Sequence, residues 1–305
     1  MSVNSVREVE TASAVRQGLA HRVSAKLYTN SKLRLRLLIG APLFWLSLVY
    51  VAALLALFVT AFWTMDSFTG EVRVVWNVDN FVQLFTDALY RTVTLRTIGI
   101  ALAVTLIDIL IALPIAFFMA KVASRRVRGI LVISILMPLW ASYLVKAYAW
   151  RSVLSNDGIL HWLLKPLGLE TPGYSLVGAA LTLGYIWLPY VILPIFTGLE
   201  KVPQNILEAS SDLGAKTWST LRLIVFPMLL PAIAAGSIFA FSLTMGDYIS
   251  INIVGGATQM LGNLVYTNVG TANNLPMAAA IAMIPVAIMF VYLTAIRKTG
   301  ALDNL

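Results

Sequence analysis

The chain has 305 residues, of which 59% are hydrophobic and 12% charged, and its formal net charge is +8. Soluble globular domains carry about 25% charged residues, so this chain has too little polar surface to cover a water-soluble body of its size. It has no cysteine and only two histidines, His21 and His161, which excludes disulfides, thiolate metal sites, a cysteine nucleophile and a histidine metal cluster.

Taken in order, residues 1–36 read as a basic tail. Its end, Lys32-Leu33-Arg34-Leu35-Arg36, reads as a clamp on anionic membrane lipid rather than a nucleic-acid site. A cleaved signal has a short basic region and an apolar core of about 7–15 residues. Here a long tail precedes the uncharged run Leu37–Met65, which reads as an anchor helix. Further apolar stretches follow at Thr97–Ala120, interrupted by Asp108 alone, and at Gly129–Val145, with a helix expected to run on past Lys146. Two more lie at Thr171–Leu199 and Leu223–Gly246. Residues 248–296 carry no charge, but the glycines and asparagines from Gly255 to Asn274 mark a loop, so only the part from about Pro276 is expected to span. Each stretch approaches or exceeds the roughly 20 apolar residues that cross a bilayer as a helix. Backbone groups must be paired within a segment where there is no water. The expected fold is an all-α membrane protein of six transmembrane helices.

The basic residues lie unevenly about these spans. Sixteen of the twenty-two Lys and Arg fall in 1–36, 121–128, 198–222 and 297–298, which share one side if there are six spans. The positive-inside rule puts that side, with both termini, in the cytoplasm. Tyr143, Tyr148 and Trp150 sit near a predicted interface and read as an aromatic belt, with solute contact as the alternative. Trp187 and Tyr190 sit deeper, beside Pro189, facing either a pore or a helix seam. Two acids lie at membrane depth, where an ionisable group usually faces a cavity or a partner. Asp108 reads as hydrogen-bonded or ion-paired to a neighbouring helix. Asp247, with Tyr248, reads either as a lining of the outer path, where a carboxylate and an aromatic face suit a cationic solute, or as a structural group.

One polar run breaks the apolar pattern on the basic side. Glu208-Ala209-Ser210-Ser211-Asp212-Leu213-Gly214 is followed after nine residues by Ile224-Val225-Phe226-Pro227. This suits two short helices bent at Gly214, with Pro227 where the next span begins. The run resembles the coupling signature of permease subunits of binding-protein-dependent ABC importers, with Ser210 in place of an alanine and Phe226 in place of a leucine. Met137-Pro138-Leu139-Trp140, Leu188-Pro189-Tyr190-Val191, Gly246-Asp247-Tyr248-Ile249 and Leu261-Gly262-Asn263 are similar to elements of spermidine/putrescine-type permeases. Asn274-Leu275-Pro276 departs from that group, which often has Asp-Trp-Pro there. The resemblance covers about residues 90–297.

The resemblance implies a type I ABC importer permease fold spanning 37–298, with the coupling loop at about 200–226 and a cytoplasmic C-terminus at 299–305. It implies a multi-pass subunit of the bacterial inner membrane that forms half of a path for a small solute, foremost a polyamine. Phosphonates, organic acids and metal complexes are the other solutes of related importers. The implied partners are an ABC ATPase dimer, a second and different permease subunit, an extracytoplasmic solute-binding protein and membrane lipids, and not nucleic acid. No cofactor is implied for this chain, because ATP and magnesium belong to the ATPase. In the coupling role Glu208 offers a carboxylate to a basic partner, Ala209 and Ala215 permit close packing, Asp212 caps the second short helix and Gly214 makes the turn. The chain has no Gly-Lys-Ser/Thr phosphate loop of its own and no convincing cluster of catalytic residues. A self-sufficient secondary transporter is the competing class, but it leaves the Glu208 run without a purpose.

Overall fold

A computed structural model describes residues 31–298 except Ser67. The expected tail up to Asn30 and the C-terminus from 299 lie outside these residues. The chain divides into two units, one up to Val59 and one from Thr60. The described residues of the first belong to one helix, α1 (Ser31–Thr60), whose apolar part from Leu38 has a mean hydropathy of 2.4. At 1.5 Å per residue its 30 residues extend about 45 Å. It begins before the expected Leu37, so the basic stretch from Ser31 continues the helix.

The second unit opens with a small hairpin, β1 (Thr64–Met65) and β2 (Val72–Arg73), paired antiparallel with Thr64 opposite Arg73. Asp66 ties its turn together, accepting from the N–H groups of Phe68 at 2.8 Å and Thr69 at 3.2 Å and pairing with Arg73. These donors, backbone first, hold its carboxyl below the usual carboxylate range. The short amphipathic helix α2 (Asp79–Thr86) follows. Asp87 then caps α3 (Ala88–Phe117), accepting from Leu89 N–H, and α3 runs on through a π-helical turn, Phe118–Val122.

The next helix corrects the expected third span. α4 (Arg125–Trp140) stops at Ala141, which is extended, and α5 (Tyr143–Leu154) leaves at 98° to it. Pro138 leaves a carbonyl unpaired one turn back, and the chain leaves the helical conformation at Ala141 before α5 begins, so the apolar run 129–145 does not continue as one rod past Lys146. α6 (Ile159–Leu164) leads to α7 (Leu176–Lys201), which begins at the Ser175 cap rather than at Thr171.

After α7 come α8 (Gln204–Asp212) and α9 (Thr217–Thr220). α9 runs through a second π turn, Leu221–Val225, into α10 (Phe226–Met245). The fifth span therefore starts at Thr217, not Leu223, and Pro227 lies inside it. Pro227 has no N–H to donate, and directly ahead of it the Phe226 N–H reaches back five residues to the Leu221 carbonyl. A short helix, α11 (Ile249–Val254), precedes the expected Gly/Asn loop, and the loop itself contains α12 (Leu261–Gly270) before α13 (Leu275–Lys298).

The core is the three-helix seam of α3, α7 and α10, which pack on one another. A Cβ on Gly198 would lie 2.6 Å from Ala232 Cβ, and one on Gly236 would lie 3.1 Å from Val191 Cα. Residue numbers fall along α7 as they rise along α10, so the two are antiparallel, and small residues set their separation. Ala112, Leu183, Ile195 and Leu229 are buried in this seam. α4 begins at one end of the seam, where Arg128 meets Glu200, and its successor α5 begins at the other, where Tyr143 meets Asp247. α4 therefore crosses the bundle and α5 is a leg bent across its far end. Counting the bent pair as one span, six segments are long and apolar enough to cross a membrane among the described residues.

Candidate functional site

Two places in the second unit hold the residues that the sequence singles out. One is the elbow between α7 and α10. Its start is pinned from α3 and α4. Lys121 Nζ donates to the Val202 carbonyl at 2.8 Å, and Arg128 donates to the Met119 and Ala120 carbonyls and to Glu200, each at 3.0 Å. Lysine and arginine are suited to these places because the last carbonyls of a helix lack N–H partners.

α8 then closes in a Schellman turn. Ala215 N–H donates to the Ser210 carbonyl at 3.1 Å and Gly214 N–H to the Ser211 carbonyl at 2.9 Å. Gly214 has φ +77°, a conformation that glycine adopts without a Cβ clash. Ser210, the departure from alanine noted above, is buried and lies 2.8 Å from Thr220 Oγ1, so its hydroxyl ties α8 to α9. Asp212 corrects one expectation. It ends α8 rather than capping α9, whose cap position is Lys216, with no side-chain bond. The Schellman turn takes up the intervening residues and keeps Asp212 away from α9.

What the elbow offers outward is clear from exposure. Glu208, Ala209, Asp212 and Gly214 are exposed and Ala215 is half-buried. Glu208 makes no hydrogen bond or ion pair among the described residues. Leu213, which the sequence reading passed over, is 88% exposed at the tip. A large apolar side chain left in water beside an unpaired carboxylate has the composition of a docking surface. Its only signal in the sequence is an apolar residue just before the turn glycine.

The second place lies at the far end of the seam, and there the residues face inward. Asp247 comes directly after Gly246, the cap that ends α10, and is 7% exposed. Its carboxylate accepts from the Tyr143 hydroxyl and, at 2.9 Å, from the Ser250 N–H, while Tyr143 Oη lies 2.6 Å from Ser250 Oγ. The Tyr143 ring stacks on Trp187 at 5.7 Å. Trp187 meets Tyr190 at 6.0 Å, and Tyr190 meets Phe239 at 6.2 Å, so an aromatic ladder leads from the bend after α4 to the surface of α10. Trp150 stands apart from it, tilted against Tyr185 at 5.4 Å.

Gly262 also belongs to this knot. A Cβ there would lie 2.7 Å from the Asp247 carbonyl, so only glycine admits this approach. Asn263 Nδ2 donates to the Tyr248 carbonyl at 3.2 Å and to Asn252 Oδ1 at 2.6 Å. The paired motifs at 246–249 and 261–263 are thus two sides of one internal contact. Tyr248 points away from it. It stacks on Tyr266 at 4.9 Å and lines a cavity of about 410 Å³ with Met245, Val265, Ala282 and Pro285. Tyr266 lies in the stretch read as loop, where nothing local distinguishes it.

Asp108 is 1% exposed in the core seam, and neither of its oxygens has a hydrogen-bond partner among the described residues. The expected bond to a neighbouring helix is absent because α7 presents Gly184 there, which has no side chain to offer. A Cβ on Gly184 would already lie 3.1 Å from Asp108 Oδ1. Among the described residues no group of three His, Cys, Asp or Glu is placed to hold a metal ion.

Residues 102–297 match the family described as binding-protein-dependent transport system inner membrane component. The inner membrane ABC transporter permease protein YdcU of Escherichia coli (strain K12) is 41% identical, over 96% of this chain and 98% of the relative. The spermidine/putrescine transport system permease protein PotB of the same organism is 31% identical, over 85% and 95%. The crystal structure of a bacterial ABC transporter involved in the import of the acidic polysaccharide alginate contains a chain that superposes with a TM-score of 0.66 at 16% identity, over 91% of this chain and 99% of that one. At that identity the likeness concerns the fold alone.

Proposed function

The chain belongs to the family of binding-protein-dependent transport system inner membrane components, and from that premise we propose that its elbow is the contact for a separate ATPase and that its solute is a polyamine. It is a multi-pass ABC importer permease subunit, non-catalytic in itself. In the proposed complex it forms half of the path beside a second permease. An ATPase dimer sits under the elbow on the cytoplasmic side, and a solute-binding protein delivers at the far end.

One observation carries the coupling role. Glu208 is exposed and unpaired on a short helix whose base is tied down at Val202 and whose end is locked at Gly214. A stiff, anchored element with an unused charge transmits force to a partner better than a loose loop does. Its test is uptake and ATP hydrolysis by the reconstituted complex, with wild-type chain and with Glu208→Gln. Loss of uptake with the ATPase idling or detached supports the role. Full-speed uptake refutes it.

The polyamine reading is supported by the similarity to PotB and by aromatic faces at the far end, which attract cations. A specific observation favours a second reading. Asp247, the acid expected to face a cation, spends its carboxylate on Tyr143 and Ser250, which suits a solute that needs no counter-charge there. Putrescine and spermidine uptake, measured against an organic acid and a phosphonate in the same vesicles, separates the two.

A further inference from the structure

Between the elbow ends of α3 and α10 lies a groove of about 750 Å³. Pro114 and Phe117 form one wall, and Val225 and Leu229 the other. Trp218, 72% exposed, and Arg222 stand at its mouth. Among the described residues Arg222 is the one charged residue lining it. It is exposed and makes no hydrogen bond or ion pair among the described residues.

The dimensions have a definite meaning in a membrane. Trp218 to Leu229 is about 16 Å of helix at 1.5 Å per residue, close to the roughly 15 Å of hydrocarbon in one leaflet. Tryptophan and arginine at the mouth are residues that settle at the headgroup level, and the walls below them are apolar. The groove is therefore one leaflet deep, greasy along its length, and topped by one unused cation. A soluble anion matches only its mouth, and an uncharged apolar segment of another protein matches only its walls.

We propose that this groove holds an acyl chain of an anionic phospholipid whose headgroup pairs with Arg222. A lipid seated there lies against the π turn Leu221–Val225, one residue beyond Thr220, which bonds Ser210 of the elbow. Lipid charge then bears on how firmly the elbow is held. The inference needs only that the segment spans a membrane and is independent of the solute and of the ATPase contact.

Trp218 itself is the probe. The full-length chain is reconstituted in vesicles containing phosphatidylglycerol or phosphatidylcholine with brominated chains, and the quenching due to Trp218 is taken as the difference between the wild type and Trp218→Phe. We expect stronger quenching by the anionic lipid. That preference should fall about fivefold in Arg222→Gln, the factor that corresponds to one interfacial cation, and persist in Arg222→Lys. Circular dichroism checks that both variants fold, as is expected for an exposed residue without partners. Equal quenching by the two lipids in the wild type overturns the proposal. A preference that survives Arg222→Gln also overturns it and assigns the effect to other basic residues, such as the exposed Lys216. Failure of both lipids to quench Trp218 overturns it too, by showing that a protein covers the groove.

Discussion

The two ends of the core seam hold carboxylates of the same chemistry in opposite circumstances. Glu208 at the elbow is exposed and has no partner among the described residues, whereas Asp247 at the far end is 7% exposed and bonded to both Tyr143 and Ser250. The elbow is rigid in its backbone and empty in its outward side chains. At the far end the carboxylate of Asp247, the hydroxyl of Tyr143 and the amide of Asn263 are all used by other parts of the same chain. The contrast teaches that a motif residue's role follows from who satisfies it. A polar group bonded inside the chain holds the chain together, and one left unbonded at an anchored position is available to another molecule.

Five substitutions test that contrast, from the largest expected effect to the smallest. Glu208→Lys should reduce uptake by the whole complex more than tenfold, because reversing a charge in a docked pair costs about 2–5 kcal/mol of association. The melting temperature of the isolated chain should not move, since exposed substitutions of this kind stay within about 0.5 kcal/mol. A drop in melting temperature would mean that Glu208 serves the fold after all.

Tyr143→Phe should do the reverse. It removes a donor from a buried carboxylate, at a cost of about 1–3 kcal/mol, and should lower the melting temperature without detaching the ATPase. Combined with Asp247→Asn in a double-mutant cycle, it should give a coupling energy between about 0.5 and 3 kcal/mol. If Asp247→Asn instead lowers uptake of a cationic solute at unchanged melting temperature, Asp247 belongs to the path and the contrast fails.

Gly214→Val tests the rigidity of the elbow. A branched side chain at φ +77° costs about 1–2 kcal/mol and should uncouple ATP hydrolysis from uptake before it unfolds the chain, as read by the ratio of the two rates. Ser210→Ala restores the family residue and removes the bond to Thr220. The expected loss is about 1 kcal/mol or less, visible in the melting temperature and small in uptake.

Much of this was legible in the chain, for reasons that are local. A run such as Thr97–Ala120 announces a span because each residue added to the hydrocarbon contributes independently. The turn at Gly214 could be read because a left-handed residue that ends a short polar helix calls for glycine. The break at Ala141 was not legible, because an apolar run of the right length scores the same straight or bent by 98°. Asp108 was expected to find a partner, and the glycine facing it comes from a helix 76 positions further on. Tyr143 read as a belt residue for the same reason. Its ring and hydroxyl are claimed by Trp187, Asp247 and Ser250, all distant in sequence.

By itself the amino-acid order determined that the protein lies in a membrane, about how many times it crosses and where its polar elbow falls, since these follow from the solvation of short segments and the backbone needs of single residues. Which carboxylate is spent inside and which is left free was decided only when α3, α7 and α10 packed and α5 bent across their far end. Burial and hydrogen bonding are properties of pairs brought together by the fold, and a sequence read one segment at a time contains no pairs.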